Sequence, residues 1–598
     1  MQSASNSATT VYSAFTEAAR QHAERTFLRA PAAATRGYAD GGIEYTYAST
    51  QQAVARLRLL YQGLGLKPGD RVALAFDSRL DVYLHLLALN AEGASIVPLN
   101  MAGSDAEVLH IIRHSESRLM SGTGAHMDRL RLLAQEAGRV RLFSTADLPK
   151  EPLIYSVIPA RGRRPGSRNP GESSSVLDSR PGSGSGVTFL RGNDENGINQ
   201  SVPNDTAPCE FLPEANANAG TEAALLYTSG TTGKPKGCIL SNDYFLTMGL
   251  EYKRLGGLCA IHAGDRLLTP LPPNHMNALA TSFMAMLLCG GCVIQLDRFH
   301  PGCWWQTVRE EKATVIHYLG VMPAMLLQPP PDPAENFAGQ VRFGFGAGSD
   351  PRHQEVFERR FGFPLVEAWA MTETGGAGMI VAHVEPRHLG QRCIGRPIDH
   401  VEIRLVDEHD GDVAPGQDGE LLVRRRGDDP RKGFFSGYFR DEEATREGWR
   451  GGWWHTGDVV RQGADGSLFF VDRRKNVIRR SGENIAAVEV EAALLQLDAV
   501  GSCAVTAVPD EIRGDEVFAF IIAAGKVGDP ARLARDIFDA CMHKLTYFKA
   551  PGYIALVDHI PVTASQKISR AEVKQRAIQS LASGQATDLR KFKKRVRS

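Results

Sequence analysis

Over the first 150 residues, apolar positions recur with two alternating periods. Val11 to Arg25 places Phe15 and several alanines on one side of a helical repeat, and Gln51 to Gln62 repeats that pattern until Gly63 ends it. Arg71 to Phe76 is a strand-length apolar run entered through the turn Lys67-Pro68-Gly69-Asp70. Leu80 to Ala91 is helical, and Ala94 to Leu99 is a second strand. The alternation resumes at Thr221. Strands alternating with helices predict a mostly parallel, doubly wound α/β architecture. Gly390 to Phe470 is different: runs such as Val401 to Val406 and Gly419 to Val423 predict a β-rich subdomain.

Two segments need separate treatment. Ala278 to Leu296 has no charged residue and is long enough to suggest a membrane span. Gly290-Gly291 divides it, which predicts a buried helix followed by a strand. Residues 158–219 carry Gly, Ser, Asn, Arg and Pro with few large apolar groups, the composition of a disordered insertion that cannot offset its ordering entropy. The predicted organisation is an N-terminal domain over 1–471 holding that insertion, a small α+β domain over 472–585, and a solvated basic tail over 586–598.

With 68 Lys plus Arg against 68 Asp plus Glu, the chain has no formal net charge. That argues against a general affinity for nucleic acid or anionic membranes. Nine irregularly spaced cysteines predict reduced thiols in a cytoplasmic protein. Cys289-Gly-Gly-Cys292 has redox or metal spacing but lacks a second pair or a nearby histidine cluster, so a packed apolar segment is expected. The first ten residues lack the order of a signal peptide.

The candidate chemistry begins at Tyr227 to Gly237. Three glycines let this backbone turn tightly. Thr228, Ser229, Thr231 and Thr232, with exposed N–H groups, can wrap anionic oxygens, and Lys234 and Lys236 add charge. Two residues, not four, separate Gly230 from Gly233, and Pro235 follows Lys234, so this is not the common nucleotide loop. It resembles instead the phosphate loop of adenylate-forming enzymes, the superfamily of acyl-CoA synthetases and peptide-synthetase adenylation domains.

The resemblance spans the chain except the insertion and the ends, and it implies site residues. Thr228, Ser229, Gly230, Thr231, Thr232, Gly233 and Lys236 would hold phosphate. Gly346, Ala347 and Gly348 would border the adenine and acyl group. In Glu367 to Glu373, Trp369 would stack on the adenine, Glu367 and Ala368 would belong to the ATP/AMP site, Thr372 would bond a phosphate oxygen, and Glu373 would carry Mg²⁺. Asp458 in Trp454 to Asp458 would take both ribose hydroxyls. Arg473 would reach ribose or phosphate, Lys475 would be a hinge about which the small domain rotates, and Ser481, Gly482 and Glu483 would face CoA. His275, Asn277, His317 and Met322 would line the acyl pocket. Lys567 would be the catalytic lysine. Ala370 and Gln566 stand where the family carries glycine.

These residues suit one reaction: a carboxylate attacks the α-phosphate of ATP, and Lys567 with Mg²⁺ offsets the repulsion between anions. The resemblance is nearest to crotonobetaine/carnitine–CoA ligase-like enzymes and implies ATP, Mg²⁺, CoA and a small-molecule carboxylic acid; the charge balance and the divided apolar run lead to the expectation of no nucleic acid and no integral membrane segment. An adenylating enzyme that loads a carrier protein and a silent nucleotide-binding protein are the alternatives.

Overall fold

The computed structural model describes residues 8–36, 39, 41–144, 214–228, 235–473, 477–480, 483–511, 513–562 and 568–593. The predicted insertion lies outside these residues except at its end. There the expectation ran too far: Ala215 N–H donates to Ala91 O at 2.8 Å and Asn242 Nδ2 to Asn218 O at 3.0 Å, so 214–219 is tied to the body of the protein.

A seven-stranded sheet has Arg71–Ala75 parallel to both Ser95–Pro98 and Leu119–Gly122. Glu222–Thr228 joins parallel to Ser95–Pro98, and the chain returns antiparallel as Lys236–Ser241. A thirteen-stranded sheet has Ile43–Thr46 at one edge, antiparallel to Thr26–Ala30, and then runs parallel in the spatial order Thr26–Ala30, Cys292–Gln295, Arg266–Thr269, Val315–Leu319, Phe343–Ala347 and Leu365–Trp369. From Leu365–Trp369 it continues antiparallel through Ile380–Val381, Cys393–Pro397, Leu468–Arg473, Trp454–Gln462, Asp418–Arg425 and Val401–Val406. The predicted β-rich part is therefore an extension of the doubly wound sheet.

The two sheets share a layer of buried helices. Asp81–Ala91 buries every residue from Val82 onward, which its all-round apolar sequence requires. Tyr83 stacks on Phe283 at 5.0 Å, and its hydroxyl donates to Gln295 Oε1 at 2.7 Å, linking this helix to the larger sheet. The segment read as a helix and a strand is Phe283–Cys289 and Cys292–Gln295, preceded by a π-helical turn, Asn277–Ser282, that the apolar pattern did not announce. Cys289 and Cys292 are buried and free, and burial pushes both thiols up to about 12, well away from redox reactivity. Among the described residues no helix is long and apolar enough to cross a membrane.

A six-stranded sheet built from Val477–Arg480 to Thr587–Asp588 forms the small C-terminal part, with helices Ala487–Leu494, Pro530–Lys544 and Arg570–Ala582. Its own apolar core includes Ile478, Ile485, Val505, Ile521, Phe538 and Leu589. The expected solvated tail is corrected here. Thr587–Asp588 pairs with Tyr553–Leu556, and Lys593 reaches inward to place its Nζ 2.6 Å from Glu516 Oε1. A charge count cannot see that a fully buried carboxylate lies within reach of one of those lysines.

Candidate active site

The site residues gather where strands of the large sheet end, the place where open α/β sheets bind ligands. Phe343–Ala347 and Leu365–Trp369 are adjacent and parallel. Glu367, buried on the second, holds the turn that follows the first. Its carboxylate accepts from Gly348 N–H at 2.7 Å, Ser349 N–H at 3.1 Å and the Tyr318 hydroxyl at 2.8 Å. Burial pushes this carboxyl above the usual range despite those donors. A Cβ on Gly346 would strike the Tyr318 carbonyl, so glycine is needed for close approach. Ala347 and Gly348 are exposed at the rim; Ala368 and Thr372 are half-buried.

Glu373 lies in the turn after Leu365–Trp369 and is 7% exposed. Tyr438 donates to its Oε1 at 2.6 Å, and burial raises its pKa, with Asp458 adding repulsion and Arg473 opposing. Asp458 is 2% exposed. Trp369 Nε1 donates to its Oδ2 at 2.8 Å, and Arg473 Nε stands 3.0 Å from its Oδ1. Burial raises the Asp458 pKa, and the Arg473 guanidinium offsets part of that rise. Trp369 thus braces the aspartate. Two buried carboxylates and one arginine sit in mutual range, an arrangement ready for a ligand bearing hydroxyls and phosphates.

Thr228 and Lys236 pair across their strands and bracket the loop read from the sequence as phosphate-binding, whose Ser229, Gly230, Thr231, Thr232 and Gly233 lie outside the described residues. Lys236 Nζ is 2.9 Å from Asp441 Oδ2 and 4.9 Å from the centre of the Tyr438 ring. Burial pushes the Asp441 carboxyl up, but Lys236 and the Ala444 N–H outweigh it and hold it below its ordinary value. Tyr438 therefore bridges the foot of the loop to Glu373. Sequence reasoning missed Tyr438 and Asp441; a tyrosine three residues before a helix-capping aspartate was the available signal.

His317 is fully buried. Its Nδ1 lies 2.8 Å from Ser282 Oγ and 3.0 Å from Asn277 Oδ1, and its Nε2 lies 3.1 Å from the Tyr252 hydroxyl. Burial pushes its pKa down to about 3, so the ring is neutral at any working pH. The Ser282 hydroxyl also donates to Asn277 O at 3.1 Å, which fixes the π-helical turn against this histidine. Such turns are frequent at functional sites. His275 is exposed at the start of the turn, while Met322 is 2% exposed within the apolar core beside Trp304 and Tyr318.

Lys475, Ser481, Gly482 and Lys567 lie outside the described residues, as does the Glu483 side chain. The flanks of Lys567 are described: Val562 bridges Ile568, and Ser569 N–H donates to Pro561 O at 2.9 Å. Among the described residues no three His, Cys, Asp or Glu side chains form a metal cage. A magnesium ion that arrives with ATP needs none, because it keeps waters and takes one or two carboxylates plus phosphate oxygens. Buried Glu373 fits that demand.

Residues 15–439 match the family described as AMP-binding enzyme, and residues 489–567 match the AMP-binding enzyme C-terminal domain. The chain belongs to the AMP-binding enzyme family. Within it, a crotonobetaine/carnitine–CoA ligase of Salmonella arizonae is 26% identical over 89% of this chain and 93% of its own length. A sulfoacetate–CoA ligase of Cupriavidus necator is 28% identical over the same shares. The anthranilate CoA ligase solved with anthranoyl-AMP shares the fold at a TM-score of 0.75 and 18% identity, covering 96% of this chain and 98% of that one. The Bacillus subtilis o-succinylbenzoate CoA synthetase solved with its acyl-adenylate aligns at 0.73 and 22% identity over 94% of this chain and 97% of its own. The first match covers strands of the two large sheets, and the second falls within the small six-stranded part.

Proposed function

We propose that this protein is an ATP-dependent acid–CoA ligase that works through an acyl-adenylate. The observation carrying the reading is the junction of Glu373, Asp458, Arg473 and the Lys236–Tyr438 bridge at the strand ends, within a family whose similar members are named CoA ligases. In the first half-reaction a carboxylate oxygen attacks the α-phosphorus of ATP. A new P–O bond forms, the α–β bond breaks, and pyrophosphate leaves. Asp458 receives the ribose hydroxyls, Thr228 and Lys236 receive the outer phosphates, and Lys567 neutralises the meeting anions. Mg²⁺ on Glu373 would supply charge neutralisation at the phosphates.

In the second half-reaction the CoA thiolate attacks the acyl carbonyl, forms the thioester and expels AMP. Neutral, fully bonded His317 cannot act as a base at its low pKa. Its role is to hold Asn277 at the wall where the acid lies, and Met322 supports that wall from the core. The half-buried Asn277 side chain and exposed His275 give the acyl end a polar lining, which favours a small acid carrying a hydrogen-bonding group.

The test is pyrophosphate release over a panel of carboxylic acids with and without CoA. Acid-dependent release that turns over repeatedly only with CoA supports the reading. Adenylate that CoA cannot discharge points to a carrier-protein acceptor, and silence with every acid despite measurable ATP binding contradicts a ligase.

A further inference from the structure

Asp458 does not sit on a regular strand. Across the pair of Asp418–Arg425 with Trp454–Gln462, Glu420 faces Val459 and Leu422 faces His455. Thr456, Gly457 and Asp458 therefore stand opposite Leu421 alone. This is a bulge, the device by which a strand re-aims one side chain beside a site. Gly457 takes φ +70°, a left-handed conformation that leaves its N–H turned out of the ladder.

Three bonds hold that bulge. Thr456 Oγ1 donates to Leu421 O at 2.6 Å, Asp458 N–H donates to Thr456 Oγ1 at 3.0 Å, and Gly457 N–H donates to Glu420 Oε1 at 3.1 Å. Glu420 is 6% exposed. Its neighbours complete a cluster beneath the bulge: His455 Nδ1 lies 3.6 Å from Oε1, and Arg450 Nη2 lies 4.0 Å from Oε2. Arg450 is itself held by Asp410 at 3.1 and 3.2 Å. A carboxylate buried beneath a bulge is costly unless its bonds are needed there.

We infer that Glu420 is a positioning residue for nucleotide binding: through the Gly457 N–H it fixes the bulge that presents the Asp458 carboxylate to the ribose hydroxyls. The Arg450 charge faces the Glu420 carboxylate from below. This inference rests on the reading of Asp458 as the ribose acceptor under the proposed function.

The experiment measures affinity for ATP and for 2′,3′-dideoxy-ATP by calorimetry, with the melting temperature as a control. The variants are wild type, Glu420→Ala, Glu420→Gln, Asp458→Ala and the Glu420→Ala/Asp458→Ala double variant. Glu420→Ala weakens ATP about fivefold while leaving dideoxy-ATP unchanged, so the preference for ribose hydroxyls shrinks. Glu420→Gln, which keeps an acceptor for Gly457, restores the preference. In the Asp458→Ala background, Glu420→Ala has no further effect. Equal weakening of both nucleotides, full additivity with Asp458→Ala, or a Gln variant as deficient as Ala would each overturn the inference. A wild type with no preference for ATP, or one that Asp458→Ala does not alter, would instead overturn the reading of Asp458. A wild-type preference that depends on Asp458 and ignores Glu420 would sink only the role of Glu420.

Discussion

The strand-end site and the small C-terminal sheet both bury charge, and they use it differently. At the strand ends, Glu367, Glu373 and Asp458 are buried carboxylates whose pKa values burial raises, each held by donors that leave capacity for a ligand. In the small sheet, Glu516 is fully buried between Arg480 Nε at 2.8 Å and Lys593 Nζ at 2.6 Å, and Lys593 donates again to Phe548 O at 3.2 Å. Glu491 likewise takes both arms of Arg570 at 2.6 and 2.8 Å and accepts from Val505 N–H at 2.7 Å. The second kind of cluster spends its bonds internally. The buried carboxylates at the strand ends keep acceptor capacity toward the candidate site; those of the small domain, Glu491 and Glu516, are paired within it.

Substitutions can break this contrast. The largest effect belongs to Lys567→Ala, which lowers the rate of adenylate formation about 10²- to 10³-fold, the usual loss of one charge-stabilising group. Pyrophosphate exchange measures it, and a loss smaller than tenfold would remove Lys567 from the first half-reaction. Glu516→Ala leaves two buried cations without their partner and destabilises the small domain by about 3–5 kcal/mol. Chemical denaturation reads that loss, while ATP affinity in the same variant stays within about twofold because Glu516 spends its bonds on Arg480 and Lys593 and shares no partner with Glu373 or Asp458. An equal loss of ATP affinity would erase the distinction between the two regions.

Asp458→Asn reverses that pattern, weakening ATP about tenfold for the loss of one charge-assisted bond. Its melting temperature stays close to wild type, since burial already opposes the Asp458 charge. A further effect is a pH dependence. Burial lowers the Lys593 pKa to about 8 although Glu516 opposes the shift. An unfolded lysine holds its proton to about pH 10.4, so between these values the unfolded chain binds more protons and stability rises with pH. Below the lower value both states are protonated and the contribution is flat. Denaturation at pH 7.5 and 9.5 should show that gain in wild type and not in Lys593→Met; identical slopes would place the titration elsewhere.

The order of elements was legible because period and glycine placement carry it. Gly290-Gly291 separated helix from strand correctly, and the strands at Arg71, Ser95 and Val401 follow their apolar runs. The candidate site was legible where family motifs are contiguous, as in Glu367 to Glu373. Three features were not. The π-helical turn at Asn277–Ser282 depends on a histidine forty residues away, which no local window contains. Tyr438 reaches Glu373 from a two-residue strand. Lys593 reads as one charge in a basic run, and its burial depends on a glutamate 77 positions earlier.

The proposed assignment of Lys567 to the first half-reaction alone has one direct test. Lys567→Ala is given a preformed acyl-adenylate of an accepted acid together with CoA, and thioester formation is followed in a single turnover beside the adenylation reaction. The account predicts that the variant fails to make the adenylate yet converts the supplied one at close to the wild-type rate. Equal loss in both half-reactions would contradict it, because Lys567 would then serve the site as a whole rather than the first step alone.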